Sequence, residues 1–424
     1  MRDNPLELVE ETPLPARTPL GPDFAKVWTA SAVSNVGDGV TMIAGPLLVA
    51  QFTGDPGLVA GAAFAHQLPW LLFALVGGAY VDRLDRRRLI VVVNLGRSAA
   101  LAALAAAVAT DNVTIPLVYA VFFLLGTGET LVDTAYAAIV PTLVPDAQLE
   151  RANARLMATF VVGNQLAAKP LGAYLFVAGA AVPFGFDAMT FLVAAALLAA
   201  VRWRPQPRDP AASGRDSLRA DIAEGLRALW HRPPIRLLAI CLCVMNVLFC
   251  AAFATLVLYA QRRLGLDEVG FGTLLSVWAL GGLAGTWLAP RLRDRFGPGV
   301  LLRAGLVIET ATELILAVTR SPVVAAATLV VFGVHAMVWG VITASLQQRL
   351  VPDRLRGRVG SVFGLLAMGG AALGTLAGGF VADATTLTAP FWMAAVGMVA
   401  LTATVWRRFT DDALSPSHPA GTLV

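Results

Sequence analysis

The most constraining feature of this chain is a succession of apolar runs, each about 20 residues or longer, separated by short polar segments. A helix of about 20 apolar residues crosses the hydrocarbon of a bilayer. The 424 residues are 57% hydrophobic and only 14% charged, whereas a soluble domain carries about 25% charged residues. Lipid offers no partner for an unpaired backbone amide, so each run must be helical. The sequence therefore predicts an all-α membrane protein.

Twelve such runs predict twelve transmembrane helices. They lie at about 24–52, 57–81, 88–110, 115–140, 152–178, 182–202, 235–260, 270–290, 300–319, 322–347, 357–381 and 389–408. Residues 24–202 and 235–408 are predicted to form two six-helix bundles. Residues 203–234 between them are polar and contain apolar residues at helical spacing, which indicates a cytoplasmic linker with an amphipathic helix. Residues 1–23 and 409–424 are predicted cytoplasmic tails.

Arginine is concentrated in alternate loops. It occurs at Arg83, Arg86, Arg87 and Arg88, at Arg151 and Arg155, within 202–236, 291–303 and 349–358, and at Arg407 and Arg408. The intervening loops carry only Arg262, Arg263 and Arg320. By the positive-inside rule the arginine-rich loops and both termini face the cytoplasm. Topology thus explains the net charge of +4, and we expect a multi-pass protein of the inner (cytoplasmic) membrane with no nucleic-acid partner.

Catalytic and metal-binding classes have little support in the sequence. Cys241, Cys243 and Cys250 lie in one predicted helix, where neither a disulfide framework nor a zinc site is plausible. No nucleophile and base set is evident, and no GxxxxGK[ST] loop indicates direct use of ATP. The first 23 residues lack the pattern of a signal peptide, so we expect them to remain attached. We expect neither an enzyme nor a bound metal or cofactor.

The chain contains an internal repeat. Asp82 and Arg83 recur as Asp294 and Arg295, 212 residues later (294 − 82). The stretch that ends at Asp146 begins at Leu143 and recurs from Leu350, 207 residues later (350 − 143). Two matching loops at nearly one offset predict parallel repeats of six helices each, related by an axis along the membrane normal.

The charge cluster that follows the second apolar run resembles the loop pattern G-x-x-x-D-R-x-G-R-R of the major facilitator superfamily. The match falls at Gly78, Asp82, Arg83, Arg86 and Arg87, and Asp85 departs from it. Four further stretches resemble the bacterial exporter group that includes macrolide efflux and enterobactin export proteins. They are residues 34–38, 126–133, 143–146 and 350–358. The resemblance covers essentially the whole chain and implies a twelve-helix transporter.

The resemblance also implies a cytoplasmic gate. Asp82 would accept amide hydrogen bonds at the start of the eleventh helix, near Gly357, because a helix N-terminus favours an anion. Arg83 would pair with Asp133 on the fourth helix. Such bonds would hold the two halves shut on the cytoplasmic side and break as the halves move. The alternative is that these arginines, including Arg86 and Arg87, only fix the topology.

Ionisable residues inside spanning helices are costly unless they are paired or hydrated, so each is a candidate functional residue. The candidates are Asp38, Arg97, Glu129, Asp133, Lys169, Asp187, Glu309, Glu313 and His335, with His66 as a further possibility. In the superfamily, helices one, four, seven and ten line the central cavity, which ranks Asp38, Glu129 and His335 highest. Asp38 and Glu129 are the predicted proton carriers.

For Asp38 the alternative is an interhelical contact without coupling. Its neighbours Gly37 and Gly39 are expected to permit local distortion and water access. Asp133 is expected to serve the Arg83 pair. Asp187, Glu309 and Glu313 fall on peripheral helices, where a structural role is expected.

Lys169 stands where the superfamily's antiporter signature has a glycine before Pro170. It is expected to pair with a carboxylate, Asp38 or Glu129, or to meet an anionic substrate, and otherwise to snorkel or pack. The second half is expected to contribute a substrate cavity. Its candidates are Asn246, Phe249, Phe253, His335 and Trp339, with plain packing as the alternative.

These features predict a monomeric secondary exporter of lipophilic or amphipathic small molecules in the lipid bilayer. It would exchange drugs or antibiotics for protons, as a multidrug antiporter that confers antibiotic resistance. The alternative with the same fold is a dedicated exporter of a siderophore or secondary metabolite. A membrane receptor that transports nothing is a third reading, which the charge cluster disfavours.

Overall fold

The computed structural model describes residues 20–81, 84–202 and 218–410, with the side chains at 74–81, 138, 146, 218–222 and 353–354 left aside. Nearly all of these residues are helical, and no strand occurs among them. The helices are α1 (Pro22–Phe52), α2 (Pro56–Val81), α3 (Arg86–Ala109), α4 (Ile115–Leu143), α5 (Asp146–Thr159), a π-helix (Phe160–Ala167), α6 (Ala168–Ala178), α7 (Val182–Ala199), α8 (Leu218–Trp230), α9 (Pro233–Phe253), α10 (Leu256–Arg262), α11 (Glu268–Phe296), α12 (Pro298–Val318), α13 (Pro322–Leu350), α14 (Asp353–Ala384) and α15 (Ala389–Val405).

The predicted all-α class is confirmed. Within the described ranges, nine helices are long and apolar enough to cross a membrane, namely α1, α3, α4, α7, α9, α11, α13, α14 and α15. The three remaining predicted runs coincide with α2, with the α5–π–α6 segment and with α12. The count of twelve spans and the cytoplasmic termini remain predictions.

Two predicted runs are interrupted. The fifth contains the π-helix, where the Asn164 side chain donates a hydrogen bond of 3.1 Å to the carbonyl of Asn35 on α1. The seventh ends as α9 at Phe253, and α10 begins at Leu256. Short π segments within helices are frequent at functional sites. The interruption in the fifth run lies directly before Lys169.

The two halves repeat one pattern of helix contacts. In the first half α1 packs on α6 and α7, α2 on α4, and α3 on α4 and α7. In the second half α9 packs on α14 and α15, α11 on α13, and α12 on α13 and α15. α8 lies in the segment between the halves and packs on α14, where Glu224 pairs with Arg358. The division into domains remains a prediction.

The halves meet along α2 with α14 and along α11 with the π-helix and α6. Several of these contacts lie at the end of the molecule that carries loop 53–55. Arg262 donates to the carbonyl of Gly54 at 3.2 Å, and Ser276 donates to the carbonyl of Leu166 at 3.2 Å. At the opposite end of α14, Gly357, Gly360 and Gly364 have open space where a Cβ would lie. The halves are thus closed together at the loop 53–55 end.

Candidate transport site

A buried ion pair joins α1 to α3 in the first half. Nη2 of Arg97 lies 2.6 Å from Oδ1 of Asp38. The Arg97 side chain is 2% exposed and that of Asp38 is 21% exposed. The guanidinium also lies 4.0 Å from the centroid of the Phe191 ring. Arg97 passes over Gly128 of α4, where a Cβ would come within 2.7 Å of its Cδ. Asp38 therefore has a partner that sequence reasoning had assigned to a peripheral helix.

The glycines beside Asp38 serve close packing. A Cβ at Gly37 would overlap the Asp187 carboxylate, and a Cβ at Gly39 would lie 2.6 Å from the carbonyl oxygen of Asn164. The expected local distortion is absent, since α1 is a continuous α-helix over its described length, Pro22–Phe52. Without side chains at these two positions, α7 and the π-helix approach α1 on both sides of Asp38.

Asp187 of α7 is fully buried beside the ion pair. Thr41 of α1 donates to its Oδ2 at 2.6 Å, and Thr190 donates to its Oδ1 at 2.8 Å. These hydrogen bonds hold α7 against α1, as expected for a structural residue. They also add a second carboxylate to the surroundings of Arg97.

Glu129 of α4 pairs with His66 of α2. The distance from Nε2 of His66 to Oε2 of Glu129 is 3.4 Å, and the Glu129 side chain is 31% exposed. A Cβ at Gly126 would overlap the carbonyl of His66, so the glycine allows α2 and α4 to approach closely. The second predicted proton carrier thus reaches open space and has a titratable neighbour.

Most of the predicted gate lies outside the described residues. This holds for Asp82 and Arg83, and Gly78 lies in the last turns of α2, where side chains are not described. Asp133 is exposed and forms no ion pair with any described residue. Arg86 begins α3, and Arg87 donates to the carbonyls of Leu198 (3.1 Å) and Ala199 at the end of α7. Arg87 therefore binds within the first half.

Lys169 is buried, and the structure pairs it with neither Asp38 nor Glu129. Its Nζ lies 2.7 Å from Oε1 of Gln165, one turn earlier, and 4.9 Å from the centroid of the Trp278 ring on α11. The ammonium thus faces the second half of the molecule, because α6 packs against α11.

The second half contains a cavity of about 300 Å³. Its walls come from α9, α11, α12 and α13. The lining residues are Leu242, Met245, Asn246, Phe249, Trp278, Glu309, Phe332, His335, Ala336 and Trp339. Four of the five predicted cavity residues line it, whereas Phe253 stacks behind Phe249 with ring centroids 4.0 Å apart.

Glu309 lies in this cavity, although its peripheral helix had suggested a structural role. Its Oε2 is 3.4 Å from Nε2 of His335. Glu313, one turn further along α12, is fully buried, and neither of its carboxylate oxygens has a hydrogen-bond partner in the described part of the chain. The two glutamates therefore have different surroundings despite sharing a helix face.

The fold and the buried charged residues are those of a transporter, and comparisons with known proteins identify its family. Residues 15–416 match the family model of transmembrane secretion effectors in the major facilitator superfamily. The chain belongs to this family: it is a multi-pass transporter of the cell membrane that moves a small-molecule substrate, and it is not an enzyme.

Three similar proteins illustrate the relationship. The multidrug efflux pump Tap of Mycolicibacterium fortuitum is 28% identical over 384 residues, which cover 88% of this chain and 92% of Tap. The enterobactin exporter EntS of Shigella boydii serotype 4 is 23% identical over 399 residues, covering 92% of this chain and 93% of EntS. A crystal structure of a variant of the nucleoside transporter NupG shares the fold with a TM-score of 0.72 at 11% identity, covering 92% of this chain and all of that one (100%).

Proposed function

We propose that this protein is a secondary exporter that moves lipophilic or amphipathic small molecules out of the cell in exchange for protons, by alternating access. The names of its relatives support export, since one is a multidrug efflux pump and another an enterobactin exporter. In this proposal twelve helices cross the inner membrane, both termini are cytoplasmic, and the monomer is the working unit.

The carboxylate cluster around Arg97 carries the proposal of proton coupling. Asp38, Glu129, Asp133 and Asp187 all lie within electrostatic range of this one guanidinium. An uncompensated charge in apolar surroundings is costly. One arginine cannot balance four carboxylates, and proton uptake is the way to neutralise the excess. The partly exposed Asp38 and Glu129 are placed to exchange those protons with the cavity.

A proton on Asp38 would change the contact between helices. It would remove the counter-ion of Arg97 and so break the ion pair between α1 and α3. The Arg97 side chain already passes over Gly128, next to Glu129. The guanidinium would then turn from Asp38 towards Glu129, and proton transfer would be converted into a rearrangement of α1 against α4.

Proton movement driven by substrate tests this coupling. In proteoliposomes, we expect Asp38→Asn and Glu129→Gln each to reduce drug-driven proton movement by at least tenfold. Each substitution removes one exchangeable carboxylate from the cluster. The matched control is Asp111→Asn, which changes an exposed carboxylate in the loop before α4. Exchange at the wild-type rate in both cluster variants would eliminate these residues as carriers.

The conformation supports a further element of the proposal. With the termini in the cytoplasm, the loop 53–55 end faces outward, so the closed contacts between the halves lie on the outer side. We infer that this form is open to the cytoplasm and that the Asp82 and Arg83 gate closes in the opposite form. Asp82→Asn is expected to abolish flux while folded protein remains in the membrane. Normal transport by this variant, measured in the same proteoliposomes, would contradict the gate.

The similarity to EntS favours a second candidate, a dedicated exporter of a siderophore or secondary metabolite. Expression in an efflux-deficient bacterial host separates the two. Resistance to several unrelated compounds and lower dye accumulation are expected for a multidrug pump. A dedicated exporter would give neither effect and would instead be recognised by loss of secretion of one product.

A further inference from the structure

We propose that the cavity of the second half binds an organic cation, with the Glu309 carboxylate as counter-ion and the rings of Trp278, Phe332 and Trp339 as walls. This inference rests on the proposed export function only in treating that cation as cargo. Binding itself is a property of the cavity and can be measured without transport.

The internal repeat places this cavity opposite the Arg97 site of the first half. Glu309 follows Arg97 by 212 residues (309 − 97), the offset of the repeated charge cluster. His335 follows Gly128 by 207 residues (335 − 128), the offset of the other repeated loop. The contact of α3 with α4 therefore corresponds to that of α12 with α13.

Side-chain sizes support this correspondence. In the first half the Arg97 side chain on α3 passes over Gly128 on α4. In the second half the large residue is on the other helix. A Cβ at Gly305 of α12 would come within 2.5 Å of Cε1 of His335 on α13. Large and small partners have exchanged helices, and the close packing of the pair is retained.

The first half carries its own cation at this place. The Arg97 guanidinium lies between the Asp38 carboxylate, at 2.6 Å, and the Phe191 ring, at 4.0 Å. In the second half a carboxylate, Glu309, replaces the guanidinium, and the residues 207 and 208 positions after Asp38 are Met245 and Asn246. The second half thus has a carboxylate, aromatic rings and a cavity, where the first half has a carboxylate, an aromatic ring and an arginine.

Glu309 is incompletely neutralised by its described partner. Its distance to Nε2 of His335 is 3.4 Å, whereas charge-assisted N–H···O bonds are about 2.7–2.9 Å long. The nearest permanent cation against the cavity wall is Lys169, which lies on the Trp278 ring and is held by Gln165. A ligand cation is therefore expected to enter on the side of Phe332, His335 and Trp339.

The aromatic rings of the cavity form a continuous wall. Ring centroids are 6.3 Å apart between Trp278 and Phe332, 5.9 Å between Phe332 and His335, and 5.9 Å between His335 and Trp339. Aromatic rings around a cavity favour quaternary ammonium groups through the attraction of a cation to the ring face. A volume of about 300 Å³ fits one aromatic ring with an ammonium substituent.

The test is equilibrium binding to the purified full-length protein, without a gradient. The probes are benzyltrimethylammonium, which carries a permanent charge, and benzenesulfonate, an anion of similar size. Titration calorimetry is expected to detect the cation and not the anion. Glu309→Gln is expected to weaken cation binding at least tenfold, and Trp339→Leu severalfold. The matched control is Glu313→Gln on the same helix face, which is expected to stay within twofold of wild type because Glu313 does not line the cavity.

Two results would overturn the inference. One is equal binding of both probes by the wild type, which needs no folded variant. The other is a folded Glu309→Gln protein that binds the cation as tightly as the wild type does. Failure of the export proposal would be distinguishable, since proton exchange and flux would be absent while charge-selective binding and its loss in Glu309→Gln persisted.

Discussion

Replacement of Arg97 by glutamine is expected to abolish transport and to destabilise the fold. The substitution removes the cation that pairs with Asp38 at 2.6 Å and leaves the nearby carboxylates without a permanent counter-ion. Breaking a buried ion pair by removing one partner costs about 3–5 kcal/mol. Thermal unfolding of the purified protein is expected at a clearly lower temperature, and a smaller fraction of the protein should be monodisperse in detergent.

A double substitution separates the structural effect from the coupling effect. Asp38→Asn combined with Arg97→Gln leaves two neutral amides in place of the ion pair, and neutral replacements of a buried pair are often tolerated. Much of the lost stability is therefore expected to return, while proton-coupled transport stays absent. Arg97→Lys keeps the charge but loses the planar group that lies on Phe191, so an intermediate stability is expected.

Two results would contradict this role of Arg97. One is wild-type stability of Arg97→Gln, which would mean that the ion pair contributes nothing to the fold. The other is substrate-driven proton movement at the wild-type rate in the double variant. That outcome would move the proton carrier away from Asp38 and leave the pair as a structural contact.

The elements of this fold are largely encoded locally. A run of about 20 apolar residues can only be a helix in lipid, so the predicted runs at 24–52 and 322–347 nearly coincide with α1 and α13. The interruptions were not predicted. The π-helix depends on the hydrogen bond from Asn164 to the backbone of α1, and such a contact between distant segments is invisible in the apolar pattern.

The pairing of ionisable residues could be predicted only as far as the list of candidates. Asp38, Glu129 and His335 were ranked by helix number, whereas their partners depend on how the helices are rotated and how far a side chain reaches. Arg97 reaches Asp38 from a peripheral helix because Gly128 leaves room for its side chain. For the same reason Glu309 reaches the cavity from α12.

The gap in the cavity prediction has a similar cause. Trp278 lies on α11, outside the helices expected to line the centre, yet it forms part of the wall and contacts Lys169. A pattern within one helix cannot reveal this, because the contact joins the two halves. The repeat offset held a usable signal, since it aligns Glu309 with Arg97 and indicates that both positions are special.

Replacement of Gly374 by alanine is expected to separate α14 from α9 and to destabilise the second half. Gly370, Gly374 and Gly378 form one face of α14, four residues apart. A Cβ at Gly370 would lie 2.7 Å from the carbonyl oxygen of Cys243, and those at Gly374 and Gly378 would overlap the carbonyls of Val247 and Ala251. Small residues at this spacing let membrane helices pack backbone against backbone. Because backbone atoms cannot rotate away, a loss of about 1–3 kcal/mol is expected, as for other overpacked sites.

Gly364 on the same helix provides a matched control with the opposite expected sign. A Cβ there has open space, and alanine inside a helix is favoured over glycine by about 0.5–1 kcal/mol. Thermal unfolding should therefore occur at a lower temperature for Gly374→Ala and at an equal or higher temperature for Gly364→Ala. Equal shifts in the two variants would show that helix propensity decides the result, and the close contact of α14 with α9 would then carry no special weight. Opposite shifts would identify this glycine face as the contact that holds the helix beside the cation cavity, since Asn246 and Phe249 of that cavity lie on α9.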